Sequence, residues 1–309
     1  MFVRRLIRSN IVRFKYDGRV LTSGGLMGAT EAVSAGINYL LQDRKSLVIP
    51  GLVLGLTGAL EASTGVNDGV TEKLLHLLKV EVPASSPTLL IVAIAVSLIA
   101  TLFVSPYVVE RYRAFLQNEP LKNGSLAGKA LRKMPGVLVA SIAYGLFYGL
   151  LLLVALLPTI LVGIIIPPLG IIVGLLFVIV AGLWLAAIFA TAIPAYIWSG
   201  NISAGFDLIS TAWKNKMEFM EFGLVLSLLN IAGYAIGVGI FVVFAFLGFL
   251  PAAGFLKGVT AAAITVVSDV AAIEFLRNLR ELPDVGELEN PLQIDEALKY
   301  DPLLGGARF

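Results

Sequence analysis

The side chains able to do chemistry are few, and most of them stand in apolar surroundings. Asp269 lies in the stretch 258–276, whose only other charged residue is Glu274. Ionisable groups inside a membrane span are costly, and they mark functional sites by default. Two readings of Asp269 are open: a carboxylate that reaches headgroup water or pairs with Arg111 or Arg113, or a site that takes up a proton or a cation. Asn230, Tyr144, Tyr148 and Trp184 are further polar groups at depth, suited to hydrogen bonds between helices. Glu61, Glu218 and Glu221 fall at span ends.

Other chemistry is excluded by residue type. The chain has no cysteine and one histidine, His76. That removes disulfides, thiolate metal sites and a cysteine nucleophile, and it leaves no second ligand beside His76. No P-loop, dinucleotide glycine fingerprint, HExxH or nucleophile with its base is present. The expectation is therefore no enzyme, no cofactor and no metal.

The elements that hold these residues are set by the solvent. Hydrophobic residues make up 58% of the chain and charged residues 14%, against about a quarter charged in soluble domains. Met134 to Phe206 is a run of 73 residues without a charge. A span needs about 20 apolar residues, so this run holds two, Gly136 to Leu157 and Leu169 to Ile193, with a turn in the proline-rich segment Pro158 to Gly170. The same argument places spans at Ser46 to Leu60 and Leu89 to Val108, and two more between Phe222 and Phe275 that turn around Pro251.

Amphipathic segments precede them. Met1 to Arg19 carries six basic residues among apolar ones, the pattern of a helix lying in the membrane interface. Gly28 to Asp43 reads as a second interfacial helix. Ser203 to Lys216 reads as a third, with Ser203 as N-cap and Ile202, Phe206, Ile209 and Trp213 at helical spacing. Thr71 to Lys79 forms a short amphipathic helix between the first two spans.

The fold class expected is all-α: an integral membrane protein of six transmembrane helices arranged as three hairpins, each preceded by an interfacial amphipathic helix. The chain is one membrane domain, with hairpins at 25–110, 119–195 and 201–276 after the basic segment 1–20. Residues 277–309 form an acidic tail. Within that tail, Leu292 to Leu298 is expected to lie on basic helices, with Asp295 and Glu296 facing cations. Of the 23 Lys and Arg, 20 fall on the side of the termini, which the positive-inside rule makes cytoplasmic. Arg4, Arg5, Arg8, Arg132 and Lys133 are the expected contacts to inner-leaflet phosphates. The basic segments lack interleaved aromatic residues and adjoin spans, so nucleic acid is not expected.

The order helix, span, turn, span occurs three times, and repeats of this kind often place a site at their interface. The outgoing span of each hairpin carries a GxxxG: Gly51 and Gly55, Gly145 and Gly149, Gly233 and Gly237. Such pairs permit close helix contact in lipid. They fit packing within one molecule or a homo-oligomer.

The pattern Asn123-Gly-Ser125-Leu-Ala-Gly-Lys-Ala-Leu-Arg132-Lys before a hairpin, then Ile193-Pro-Ala-Tyr, then Asp207-Leu-Ile-Ser-Thr-Ala-Trp213-Lys-Asn-Lys before another, resembles a group of polytopic proteins. The group comprises archaeal integral membrane proteins and the membrane domain fused to some glycerophosphodiester phosphodiesterases. The resemblance covers residues 25 to 280. It implies a six-span body with interfacial helices and no catalytic residues, because the phosphodiesterase chemistry belongs to a separate soluble domain. The function expected is a non-enzymatic protein of the cell membrane that binds lipid and assembles with copies of itself or with a membrane-protein partner. The alternative is a small-molecule permease or channel with its path between the repeats.

Overall fold

The computed structural model describes residues 26–65, 69–77, 80, 87–165, 167–279 and 282. The expected N-terminal interfacial helix, with Arg4, Arg5 and Arg8, and the expected docked tail lie outside them.

The described residues form nine α-helices: α1 Leu26–Gln42, α2 Val48–Ser63, α3 Gly69–Leu77, α4 Pro87–Leu116, α5 Asn123–Ile165, α6 Pro167–Ser199, α7 Ser203–Lys214, α8 Lys216–Phe246 and α9 Leu250–Asn278. A single 3-10 turn, Arg44–Leu47, joins α1 to α2. Six helices are long and apolar enough to cross a membrane: α2 with its leading turn, α4, α5, α6, α8 and α9. In lipid each backbone N–H and C=O needs a partner within its own segment, and the helix supplies one. The protein is thus a multi-pass, all-helical membrane protein.

Two expected boundaries move. Pro158 does not end its helix, because α5 continues through it to Ile165 and α6 begins at Pro167. Proline in a membrane helix is tolerated when neighbouring groups re-satisfy the freed carbonyl. Nor does the middle hairpin have a separate interfacial helix. Its leading segment is the first part of α5, a continuous helix of 43 residues. The tight junctions α6–α7 and α8–α9 turn on Gly200 (φ 74°) and Gly248 (φ 83°), a backbone region glycine enters without a Cβ clash.

Antiparallel spans put α1, α7 and the start of α5 at one end of the bundle, called here the terminal end, and α3 with the hairpin turns at the other, the turn end. Each leading segment docks on the preceding hairpin, counted cyclically. α7 packs on α6 and receives Tyr144 and Tyr148 of α5. α1 packs on α8 and α9. The start of α5 buries Leu126 and Ala130 against Tyr107 and Ala114 of α4. A threefold hand-over therefore closes the ring of hairpins at the terminal end.

α9 is the centre of the bundle. It touches α1, α2, α4, α6 and α8. Half of its most apolar window is buried, against at most 39% for any other span. Its seam with α2 is backbone on backbone: a Cβ at Gly254 would collide with the Gly58 carbonyl, and one at Gly258 with the Leu54 carbonyl. Close approach of this kind gives dispersion contacts their full depth where apolar burial no longer drives association.

Candidate intramembrane carboxylate site

Below the spans, at the terminal end, polar clamps tie the hairpins together. Arg111 is 1% exposed. Its Nε and Nη2 donate to the two oxygens of Asp43 at 2.7 and 3.0 Å, while Nη1 donates to Asn123 Oδ1 at 2.6 Å and to Tyr107 OH at 3.1 Å. A bidentate guanidinium–carboxylate pair of this geometry fixes orientation as well as distance. Asp43 closes α1, Arg111 ends α4 and Asn123 opens α5, so one guanidinium joins the first hairpin to the second.

A second clamp centres on Glu110, which accepts from Lys133 of α5 and, at 3.1 Å, from Arg113. Lys133 also donates to the Ile197 carbonyl at 2.8 Å. Arg113 donates to the Trp198 carbonyl and lies 4.9 Å from the centre of the Trp198 ring. A third clamp joins the first hairpin to the last: Tyr112 OH donates to Glu274 at 2.7 Å, and Arg277 reaches the same oxygen at 2.6 Å.

These clamps bear on one part of the first reading of Asp269. Pairing with Arg111 or Arg113 is not what the chain does, because both guanidiniums are bound to Asp43 and Glu110. Asp269 Oδ2 is shielded from solvent and has no hydrogen-bond partner. Ser105 of α4 is within interaction range of the carboxylate, yet its own hydroxyl also lacks a partner at normal hydrogen-bond geometry. Two buried polar groups are thus left open toward each other's surroundings, in a region where each unmade bond costs about 1–3 kcal/mol or more.

Both line one cavity of about 280 Å³. Its walls come from five spans: Leu54 of α2, Thr101 and Ser105 of α4, Ser141 of α5, Ile193 and Pro194 of α6, Thr265 and Asp269 of α9. Thr101 with Ser105, and Thr265 with Asp269, are pairs four residues apart, which share one face of their helices. Thr101 is satisfied by the Ser97 carbonyl at 2.9 Å and Thr265 by the Ala261 carbonyl at 3.0 Å. Both threonines lie one turn nearer the turn end than the open groups.

The remaining polar groups expected at depth serve packing. Tyr144 OH donates to the Ile202 carbonyl at 2.6 Å and Tyr148 OH to the Gly205 carbonyl, which holds α7 on α5. Trp184 Nε1 donates to the Ala212 carbonyl at 3.3 Å. Asn230 is exposed and bonds the Leu226 carbonyl of its own helix at 2.9 Å. None of these four lines the Asp269 cavity. Ser203 is not an N-cap side chain; its N–H donates to Asn201 Oδ1 at 2.9 Å, so Asn201 does the capping.

The three GxxxG pairs have different surroundings. Gly55 would meet Phe255 of α9, Gly51 lies at ordinary contact distance from Val259, Gly233 abuts Ile264 and Gly237 lies near Thr260, all on α9. Gly145 and Gly149 meet nothing within 4 Å. The pair Gly254 and Gly258, also a GxxxG, forms the backbone seam with α2 and was legible in the sequence, but Lys257 between them hides it from a search for uncharged spans. Of the expected lipid-phosphate residues within the described chain, Arg132 is exposed and Lys133 is bound to Glu110. Among the described residues no group of three or more His, Asp or Glu could hold a metal ion. Comparison with protein-family models, with curated proteins and with solved structures gave no match.

Proposed function

We propose that this protein is a membrane carrier that takes a small cation or cationic solute, or a proton in exchange for one, into the Asp269 cavity from the turn end. The observation that carries the reading is the solvent-shielded Asp269 Oδ2, without a hydrogen-bond partner, in a largely apolar cavity where five spans meet. A carboxylate is an acceptor only, so the group that completes it must bring positive charge or a proton. A structural carboxylate at this depth is expected to have a fixed donor. Toward the terminal end, Glu274 lies five residues, about 7.5 Å, beyond Asp269 on α9 and is held by Tyr112 and Arg277. With the terminal end cytoplasmic, as the positive-inside argument has it, uptake from the turn end is uptake from outside.

Dicyclohexylcarbodiimide, which reacts with protonated carboxyl groups in apolar surroundings, tests the site. In the purified chain it is expected to modify Asp269, to leave D269N unmodified at that position, and to be slowed by sodium, potassium or methylammonium. Modification that none of these cations slows, together with equal cation flux through vesicles holding wild-type or D269N protein, would sink the reading.

A second reading, membership of an assembly, is favoured by one observation: Gly145 and Gly149 of α5 have no neighbour although they form a close-packing motif. The mass of the complex in mild detergent tests it, and a monomer would rule it out.

A further inference from the structure

A second cavity shares no lining residue with the first and lies on the opposite flank of α6. Its volume is about 440 Å³, within the range of ligand pockets, about 300–1,000 Å³. The walls are apolar: Leu151 and Leu152 of α5, Phe177, Val180, Ala181 and Leu185 of α6, and Met220 of α8. Its terminal-end rim is formed by Trp213 of α7 and Lys216, the first residue of α8. From Phe177 to Leu185 is eight residues along α6, about 12 Å, so the cavity is elongated along the span rather than round.

We infer that this groove holds a phospholipid, with one acyl chain between α5, α6 and α8 and its phosphate on the Lys216 ammonium. Charge complementarity fixes the occupant. The wall offers no polar group to a soluble ligand or to a polar segment of a partner, and the one cation stands at the level where a bilayer presents its phosphates. Trp213, 74% exposed, has the amphipathic ring that settles at that level. The unpaired N–H groups at the start of α8 add a positive dipole end beside Lys216. Lys214 in the last turn of α7 is exposed nearby in sequence. The opposing charges of the same segment, Glu218 and Glu221 in α8, are not on the groove wall. Val180 is 48% exposed, which leaves the side of the groove open to lipid exchanging from the bilayer.

This site differs from the contacts expected of the basic segments, since Lys133 is held by Glu110 whereas Lys216 is at the mouth of an apolar channel. It predicts selectivity for an anionic headgroup. A net negative lipid gains from Lys216 as from any basic residue at a charged surface, on the order of 1 kcal/mol, which is about a fivefold preference over a zwitterionic lipid.

Tryptophan emission reads the groove directly, because Trp184 and Trp213 both line it while Trp198 is buried elsewhere. The full chain is reconstituted in phosphatidylcholine vesicles containing a minor fraction of phosphatidylglycerol or phosphatidylcholine with brominated acyl chains, whose bromine quenches indole on contact. The wild type should be quenched with about fivefold higher apparent affinity by the brominated phosphatidylglycerol. Lys216→Gln should bring the two lipids to parity, and Lys216→Arg should keep the preference. Ala181→Phe, which fills the groove, should weaken quenching by both lipids. Equal quenching of the wild type by the two lipids overturns the proposal, as does an unchanged preference in K216Q. Because K216Q changes only a rim residue, its result stands even if A181F fails to fold.

Discussion

At the scale of single residues, some charges hold the chain together and others, Asp269 Oδ2 and Glu221 Oε2 among the described residues, stand open. Arg111 and Asp43 are the clearest of the first kind, bidentate and almost fully shielded. Removing one partner of a buried pair leaves the other charge uncompensated, at about 3–5 kcal/mol, whereas replacing both by apolar groups is often close to neutral. Arg111→Met alone should therefore lower the melting temperature in detergent more than the double variant Asp43→Leu/Arg111→Met; equal losses would show that Arg111 acts through Asn123 and Tyr107 instead. Tyr39 adds a pH dependence. Burial first, and then the Asp43 carboxylate whose Oδ2 lies 3.4 Å from its hydroxyl, push the phenol above its ordinary value, with Arg111 opposing. A raised folded-state value means that the folded chain keeps the proton after the unfolded chain has lost it. That stability is complete below the ordinary tyrosine value of about 10 and declines as pH rises beyond it. Melting temperature should fall on going from about pH 9 to pH 11, and Tyr39→Phe should flatten that fall; an identical slope in the variant would assign it to other groups.

At the scale of helices, glycine decides which seams are tight. Gly254 meets the Gly58 backbone and Gly149 meets open space, so equal substitutions at the two should differ. Gly254→Leu should prevent α2 and α9 from closing and cost more than about 3 kcal/mol, as overpacking a rigid seam does. Gly149→Leu should leave the melting temperature unchanged to within about 1 kcal/mol. Thermal unfolding followed by circular dichroism compares them, and a severe loss in G149L would place a neighbour on α5. The seams also show how far the sequence could be read. Charge-free runs located five of the six spans, because exclusion of charge is a property of each segment alone, and the apolar run on to Phe275 located the sixth despite Lys257, Asp269 and Glu274. The amphipathic patterns of Gly28 to Asp43 and Ser203 to Lys216 located α1 and α7 for the same reason. The passage of α5 through Pro158 was not legible, since what satisfies a carbonyl freed by proline is a tertiary matter. Nor was the partner of Asp269: Arg111 and Arg113 are close to it in register, and only the fold shows them turned to Asp43 and Glu110. The cavity itself is composed of one or a few residues from each of five helices, at separations no local pattern records.

At the scale of the whole molecule, the arrangement couples topology to the direction in which the carboxylate cavity opens. The clamps of Asp43, Glu110 and Glu274 all lie at the terminal end, where the four cations they hold, Arg111, Arg113, Lys133 and Arg277, come from α4, α5 and α9. Among the described residues, the cations near the turn end are Lys73 and Lys257, and Lys257 is engaged there, 5.6 Å from the centre of the Phe241 ring. A chain inserted by the charge bias of its short loops would keep the terminal end inside. With that orientation the proposed uptake past Thr101 and Thr265 is from outside, and the proposed lipid site faces the inner leaflet. With the opposite orientation both assignments reverse together, so one measurement fixes them. The absence of cysteine makes single-cysteine labelling clean. Lys73→Cys, on the exposed face of α3 at the turn end, and Ser125→Cys, exposed at the start of α5 at the terminal end, both avoid the clamps and both cavities. In intact cells an impermeant maleimide should modify K73C and spare S125C until the membrane is opened. Modification of S125C with K73C protected would invert the topology, and the Asp269 cavity would then load from the inside.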